Sequence, residues 1–255
     1  MRLIILLSSF LLLVNCSGDQ NLSESSDNSN GTLSGSYANI LAIENFLYLI
    51  SDSDIITYDI NTGSEPKEIN RQNLGFGVES LFHRGGILFI GSQTALHIYD
   101  ISSSGIPFEL STTDYQLFQD FCSSDPVVTN DSLAYVTLST QITRACERAN
   151  VNELRFYDIK DINEPTLVGR YPMIEPKGLG LDNEILFVCE KSNGLKILNV
   201  KDISKVEELY HFDGFEAFDV IPRAGLLLVI GPENLYQFDY TDLSDIKLIS
   251  EISLL

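Results

Sequence analysis

One short pattern recurs five times at nearly even spacing, and it governs what this chain can fold into. An aromatic or aliphatic residue, then Asp or Asn, then another apolar residue stands at Tyr58-Asp59-Ile60, Tyr99-Asp100-Ile101, Tyr157-Asp158-Ile159, Leu198-Asn199-Val200 and Phe238-Asp239-Tyr240, with steps of 41, 58, 41 and 40 residues between the central positions. Upstream of each lies a continuous apolar run, at 46–50, 87–90, 133–136, 185–188 and 227–230. Runs this short, bounded by turn-forming Gly, Asn, Asp and Ser, have the length of buried strands and are too short for helices. Past each pattern, Pro66, Pro107, Pro165, Val206 and Ile246 open a further short strand. Counting eight residues back from each apolar run gives Ala38, Glu79, Asp125, Lys177 and Asp219. Two residues beyond these stand Ile40, Leu81, Val127, Leu179 and Ile221, all aliphatic, which marks an earlier strand in every repeat. The repeated Asp59, Asp100, Asp158 and Asp239 close the third strand, where an Asp side chain hydrogen-bonds the backbone two residues on; they read as turn caps and not as metal ligands.

Each repeat is thus four short strands in about 41 residues, a unit that buries both faces by stacking radially on its neighbours. The expected fold is all-β, a β-propeller of five blades of four antiparallel strands filling residues 37–255. The chain enters at a first strand and ends at a fourth, so no blade is completed by both termini, and the repeat order leaves the closure of the ring undefined.

Residues 1–15 are expected to be a signal peptide. Arg2 precedes an apolar run from Leu3 to Val14, and twelve helical residues rise about 18 Å, short of the ~30 Å membrane core. Leu13-Val14-Asn15-Cys16 resembles the lipobox of bacterial lipoproteins, which implies acylation of Cys16, anchorage in the lipid bilayer and, with Ser17 following the cysteine, sorting to the outer membrane. Residues 17–36 hold seven Ser, three Asn and three Gly with no basic or aromatic residue, so 16–36 reads as a lipidated cysteine and a flexible tether reaching roughly 25 Å.

The strings LKILNV, ALHIYDIS and LRFYDIKDINEP resemble the LVIVD repeat of prokaryotic surface proteins. CSSDPVV, SLAYVTL, PKGLGLDNEILFVCEKSNGLKI, AFDVIP and LLLVIGPENLYQFDY are similar to LVIVD-repeat lipoproteins of Bacteroidota. The resemblance implies a surface-anchored propeller and brings no defined activity with it. Lys177 stands where that family tends to carry His.

Sixteen basic against 36 acidic residues give a net charge of -20, which excludes nucleic acid as a partner by repulsion. Of the three cysteines left after Cys16, Cys122 precedes the third blade and Cys146 lies in its second-to-third-strand loop, which is longer than in the other repeats by about twelve residues. Both connections emerge on one rim, so a Cys122–Cys146 disulfide is expected, stabilising by roughly 3.5 kcal/mol. Cys189 ends an apolar strand and reads as an inert buried residue.

No phosphate loop, zinc motif or nucleophile elbow occurs, and no metal or cofactor is expected. The sharpest candidate site is Glu79, Asp125, Lys177 and Asp219, which open the innermost strands and are expected to ring one mouth of the central channel. They suit a cation or polar ligand, or else pair with one another structurally. The expected function is a binding or interaction module for a protein or glycan partner at the cell surface, without enzyme activity. Two alternatives stand beside it: a glycoside hydrolase using Asp125, Glu79 and Asp219 as acid and nucleophile or base, and a structural scaffold of an envelope complex. Near-identical blades, short loops and the absence of Trp argue against the hydrolase.

Overall fold

The computed structural model describes residues 36, 38–51, 53–61, 65–75, 77–115, 123–124, 126–140 and 151–255. Residues 1–35, and with them Cys16, lie outside the described residues, as do Cys122, Asp125 and Cys146.

Every repeat forms one antiparallel sheet with its strands in chain order. Blade one comprises β1 (Ile40–Ile43), β2 (Phe46–Ser51), β3 (Asp54–Asp59) and β4 (Lys67–Asn73), and blade two β5 (Val78–Arg84), β6 (Ile87–Ser92), β7 (Ala95–Asp100) and β8 (Phe108–Asp114). Blade three adds a two-residue strand, β9 (Ser123–Ser124), paired with the end of β11, before β10 (Val127–Thr129), β11 (Leu133–Thr140), β12 (Asn152–Asp158) and β13 (Thr166–Pro172). Blade four is β14 (Leu179–Asp182), β15 (Ile185–Cys189), β16 (Leu195–Asn199) and β17 (Glu207–Phe212); blade five is β18 (Asp219–Arg223), β19 (Leu226–Ile230), β20 (Asn234–Asp239) and β21 (Lys247–Ser253).

The repeated Asp or Asn is the last residue of the third strand in all five blades. Its Oδ1 accepts from the backbone N–H two residues on: Asn61 to Asp59, Ser102 to Asp100, Lys160 to Asp158, Lys201 to Asn199 and Thr241 to Asp239. A register shift recurs two residues before each of these, between the third and fourth strands, from Thr57/Tyr58 in blade one to Gln237/Phe238 in blade five. Such bulges sharpen local twist, and their repetition gives all five blades the same outer curl.

Pleating sends alternate side chains to opposite faces, so each blade has a leading face toward the next blade and a trailing face toward the previous one. The leading faces of blades one to four centre on a buried aromatic residue of the second strand: Tyr48, Phe89, Tyr135 and Phe187. Trailing faces of blades two to five present small and aliphatic residues such as Leu88, Ala134, Leu186 and Leu227, all fully buried. Three apolar clusters result, one joining blades one and two, one spanning two to four, and one joining four and five. Polar contacts lock the same seams. Tyr48 donates its hydroxyl to the Gly105 carbonyl at 2.6 Å, Ser111 to that of Ile162 at 2.8 Å, and Tyr240 to Asp182 Oδ2 at 2.7 Å. Gly105 has φ +71° and the Phe46 ring lies where a Cβ would stand, so the turn conformation and the close approach both call for glycine.

Candidate functional site

The expected channel mouth is only partly assembled. Repeat counting treats Asp219 as the equivalent of Glu79 and Lys177, but Val220 pairs with Val229 as Leu179 pairs with Val188 and Leu81 with Ile90. Phe218 therefore occupies the equivalent position. The reason is that the apolar strand of blade five begins at Leu226, one residue earlier than its most hydrophobic stretch suggests. In a strand a one-residue slip reverses the side chain's face, and Asp219 is turned onto the chain entering blade one. Its Oδ1 accepts from the Ser36 backbone N–H at 3.2 Å and from the Ser36 hydroxyl at 3.0 Å. The Ser36 oxygen accepts in turn from the Leu179 N–H at 2.8 Å, and the Ala38 carbonyl from the Leu81 N–H at 2.8 Å. Ser36 is fully buried. The entering segment thus links the innermost strands of blades two, four and five and takes up part of the space expected for a ligand.

Glu79 and Lys177 do lie near one another. Lys177 is half-buried, and burial pulls its ammonium below the usual lysine range while Glu79 opposes the shift. Glu79 Oε1 accepts from the Gln93 amide at 3.1 Å, and the Lys177 carbonyl accepts from the Thr137 hydroxyl at 2.7 Å. Asp125 lies outside the described residues. Of the described acids, Glu79 is engaged by Gln93 and Asp219 by Ser36, both of them groups of the protein itself. Gly178, next to Lys177, donates its N–H to the Phe218 carbonyl at 2.8 Å; a Cβ there would stand 2.7 Å from Asp219 Cα, so the seam admits only glycine. Cys189 is a fully buried free thiol whose pKa is pushed well up by burial, as an inert core residue requires.

A second concavity was not visible in the repeats. Between blades one and two, at the end carrying the first-to-second-strand turns, a cleft of about 430 Å³ is lined by Glu44, His83, Tyr48, Ser102, Ser103 and Ser104, among others. Its size falls within the range of small-molecule sites. His83 Nε2 accepts from the Gly86 N–H at 3.3 Å, and burial holds the imidazole pKa below its ordinary value with Glu44 opposing, so the ring is neutral at pH 7. Burial, and then Glu44, raises Tyr48 to about 12. Glu44 has φ 51°, but Gly85, Asn183 and Ala224 adopt the same left-handed conformation at the same turn of their blades, so this is repeat geometry and not strain particular to the cleft.

Sequence reasoning also missed a row of buried bases. At one position of the third strand, on the trailing face, stand His97, Arg155 and Lys196, where blades one and five carry Ile56 and Tyr236. Arg155 pairs with Glu153 at 2.6 Å and donates to the Tyr115 carbonyl at 2.8 Å. Lys196 pairs with Glu190 at 3.1 Å and Glu208 at 3.5 Å. His97 bonds the hydroxyls of Ser92 and Thr112, each at 3.0 Å. Each base is satisfied within the fold. A basic residue inside an apolar strand pattern, three times in register, was the signal available.

No protein-family model and no curated protein sequence matches the chain. Solved structures match in fold. A functionally unknown protein from Desulfotomaculum acetoxidans superposes with a TM-score of 0.65 at 11% identity, over 84% of this chain and 69% of that one. The periplasmic gluconolactonase PpgL of Pseudomonas aeruginosa gives 0.61 at 12% identity over 83% and 70%, and BamB of Moraxella catarrhalis 0.53 at 13% over 84% and 62%. The chain spans less than two thirds of BamB's length. These likenesses support the five-bladed propeller. They also correct the expectation of a protein without enzyme activity: a gluconolactonase is built on the same fold, so similar blades and short loops do not separate binding from catalysis.

Proposed function

We propose that the protein is an interaction module of the bacterial cell envelope, anchored through acylated Cys16, carried on the tether 16–36, and docking a protein partner through the two ends of its row of blades. The observation that carries this reading is the state of the end faces. Ile40 on the trailing face of blade one is 55% exposed and Ile230 on the leading face of blade five 43%, whereas the residues equivalent to Ile40 in the other blades, Leu81, Val127, Leu179 and Val220, are at most 1% exposed. Exposed aliphatic residues grouped on a sheet face mark interaction surfaces. The acidic surface keeps a tethered body clear of anionic lipid.

The test is affinity capture of the full chain from detergent-solubilised envelope membranes, with Cys16→Ala and Leu49→Glu variants in parallel. The parent should fractionate with membranes and retain a defined protein. Cys16→Ala should lose the membrane and Leu49→Glu the protein. A protein retained equally by Leu49→Glu would refute docking through the end blades, and membrane fractionation of Cys16→Ala would refute the anchor.

A further inference from the structure

We infer that the cleft between blades one and two binds a neutral polyol, a single sugar ring, taken either free or as the end residue of a glycan. This goes beyond the reading of the protein as an interaction module and does not depend on it, since the cleft lies on the leading face of blade one and not on the end faces. Three departures from the repeat meet there. Glu44 stands at the turn position held by Gly85, Asn183 and Ala224 in other blades, a left-handed position that favours glycine or asparagine. His83 stands where the other blades carry Ala42, Thr129, Leu181 and Pro222. Ser104 lies four residues past Asp100, as Ile162 and Ile203 lie four past Asp158 and Asn199, half-buried against the core. Each change is small within its own blade. Together they put a carboxylate, an imidazole and a hydroxyl around one cavity of about 430 Å³, and the blades that lack them show that the fold requires none of the three.

These groups keep hydrogen-bonding capacity for a ligand. Among the described residues Glu44 makes no hydrogen bond and no ion pair, and its charge acts on both the His83 imidazole and the Tyr48 hydroxyl, one on each wall. His83 Nε2 accepts from the Gly86 N–H, so the ring proton is on Nδ1 and is there to donate. The Ser104 hydroxyl accepts from the Ile106 N–H and keeps its own proton to give, and the Ser103 hydroxyl bonds nothing among the described residues. Ile43 and the half-buried Phe46 ring supply apolar surface beside them. The hydroxyls of a sugar match this set, because each gives one hydrogen bond and takes others, while the C–H face of the ring lies on apolar carbon. Other classes fit worse. An anion meets the Glu44 charge, and an apolar molecule displaces water while leaving the carboxylate, imidazole and hydroxyls unpaired, which is costly. A cation suits Glu44 alone and uses neither the His83 proton nor those of the serines. A metal ion lacks ligands, since among the described residues no three His, Cys, Asp or Glu side chains gather.

The test is calorimetric titration of the full chain, held in a detergent without a sugar headgroup, with the methyl glycosides of glucose, galactose and mannose. Ligands this small bind weakly, so at least one should show saturable binding with a dissociation constant of about 1 mM. Glu44→Gln, a change at an exposed position, should weaken that binding about tenfold. Ser104→Ile, which installs the residue of blades three and four, should abolish it and leave the melting temperature unchanged; if that variant does not fold, Glu44→Gln decides alone. An oligosaccharide ending in the bound hexose separates the sources, equal affinity marking a free sugar and tighter binding a glycan, and either result supports the site. Absence of binding by all three glycosides overturns the inference, as does binding left unchanged in a folded variant, or Glu44-dependent binding of choline in their place. Docking through the end faces stands or falls separately, because Leu49 does not line the cleft.

Discussion

The ion pair of Lys196 and Glu190 lets a stability change be worked out from local geometry. Glu190 is fully buried, its carboxylate accepting from the Ile174 N–H and the Asn193 amide at 2.7 Å each and facing the Lys196 ammonium at 3.1 Å. Lys196→Met keeps the length of the side chain and removes its charge, leaving a carboxylate with two donors and no counter-charge in the interior. Removing one member of a buried pair costs about 3–5 kcal/mol, and the two remaining donors place this site near the lower end, about 3 kcal/mol. For a domain of this size 1 kcal/mol moves the melting temperature by about 2–4 °C, so thermal unfolding followed by circular dichroism at pH 7 should show a drop of about 6–12 °C. Lys196→Met/Glu190→Gln removes both charges and should recover at least half of the loss. The pH dependence follows the same pair. Burial works against the Lys196 charge, yet Glu190 and Glu208 hold its pKa above the ordinary lysine value. A raised pKa stabilises below the unfolded value of about 10.4 and the stabilisation is lost as pH climbs through the folded value, so the parent should weaken above about pH 10 more than Lys196→Met does. A drop under about 2 °C, or a double variant no better than the single, would refute the reasoning.

Three further outcomes are expected. Gly178→Ala sets a methyl against the Asp219 backbone at the seam of blades four and five and should cost about 1–3 kcal/mol in urea unfolding. Ser36→Ala removes the hydroxyl shared by Asp219 and the Leu179 N–H, with an expected loss of about 1–2 kcal/mol; an unchanged midpoint would mean that the entering segment does not hold the innermost strands. The carboxyls of Asp100, Asp158, Asp202, Asp239 and Asp242 are held below their ordinary range chiefly by hydrogen bonds from residues two positions on. Lowered carboxyl pKa values stabilise above the unfolded value of about 3.9 and the stabilisation is lost as pH falls through the folded values. Melting temperatures should therefore fall between pH 5 and pH 3, and less steeply for Asp239→Asn.

What could be read from sequence was whatever the repeat imposes five times over. The strands, their order and the Asp caps follow from period, apolar runs and local turn chemistry, and recur with small variation from Asp59 to Asp239. What could not be read depends on single residues that break the repeat. Asp219 was misplaced by one position because the apolar run of blade five is continuous from Leu226 to Ile230 and hides its own start. The engagement of Asp219 by Ser36 joins residues 183 apart in sequence through a segment whose composition signals only a tether. The cleft beside Glu44 and His83 belongs to the seam between two blades and has no signature within either. The end faces were legible in part, since Leu228 stands where the other four blades carry an aromatic residue, but the meaning of that change required knowing which face each strand position turns outward.

The fastening of Ser36 also bears on force. A pull on the chain preceding Ser36 does not meet the edge of a sheet, where strands would be peeled off one at a time. It arrives near the axis and is divided at once among the bonds to Asp219 and Leu179 and, through Ala38, to Leu81. Bonds loaded together resist better than bonds loaded in sequence, so blade one, with its trailing face uncovered, is shielded from the tension its position in the chain would otherwise bring to it.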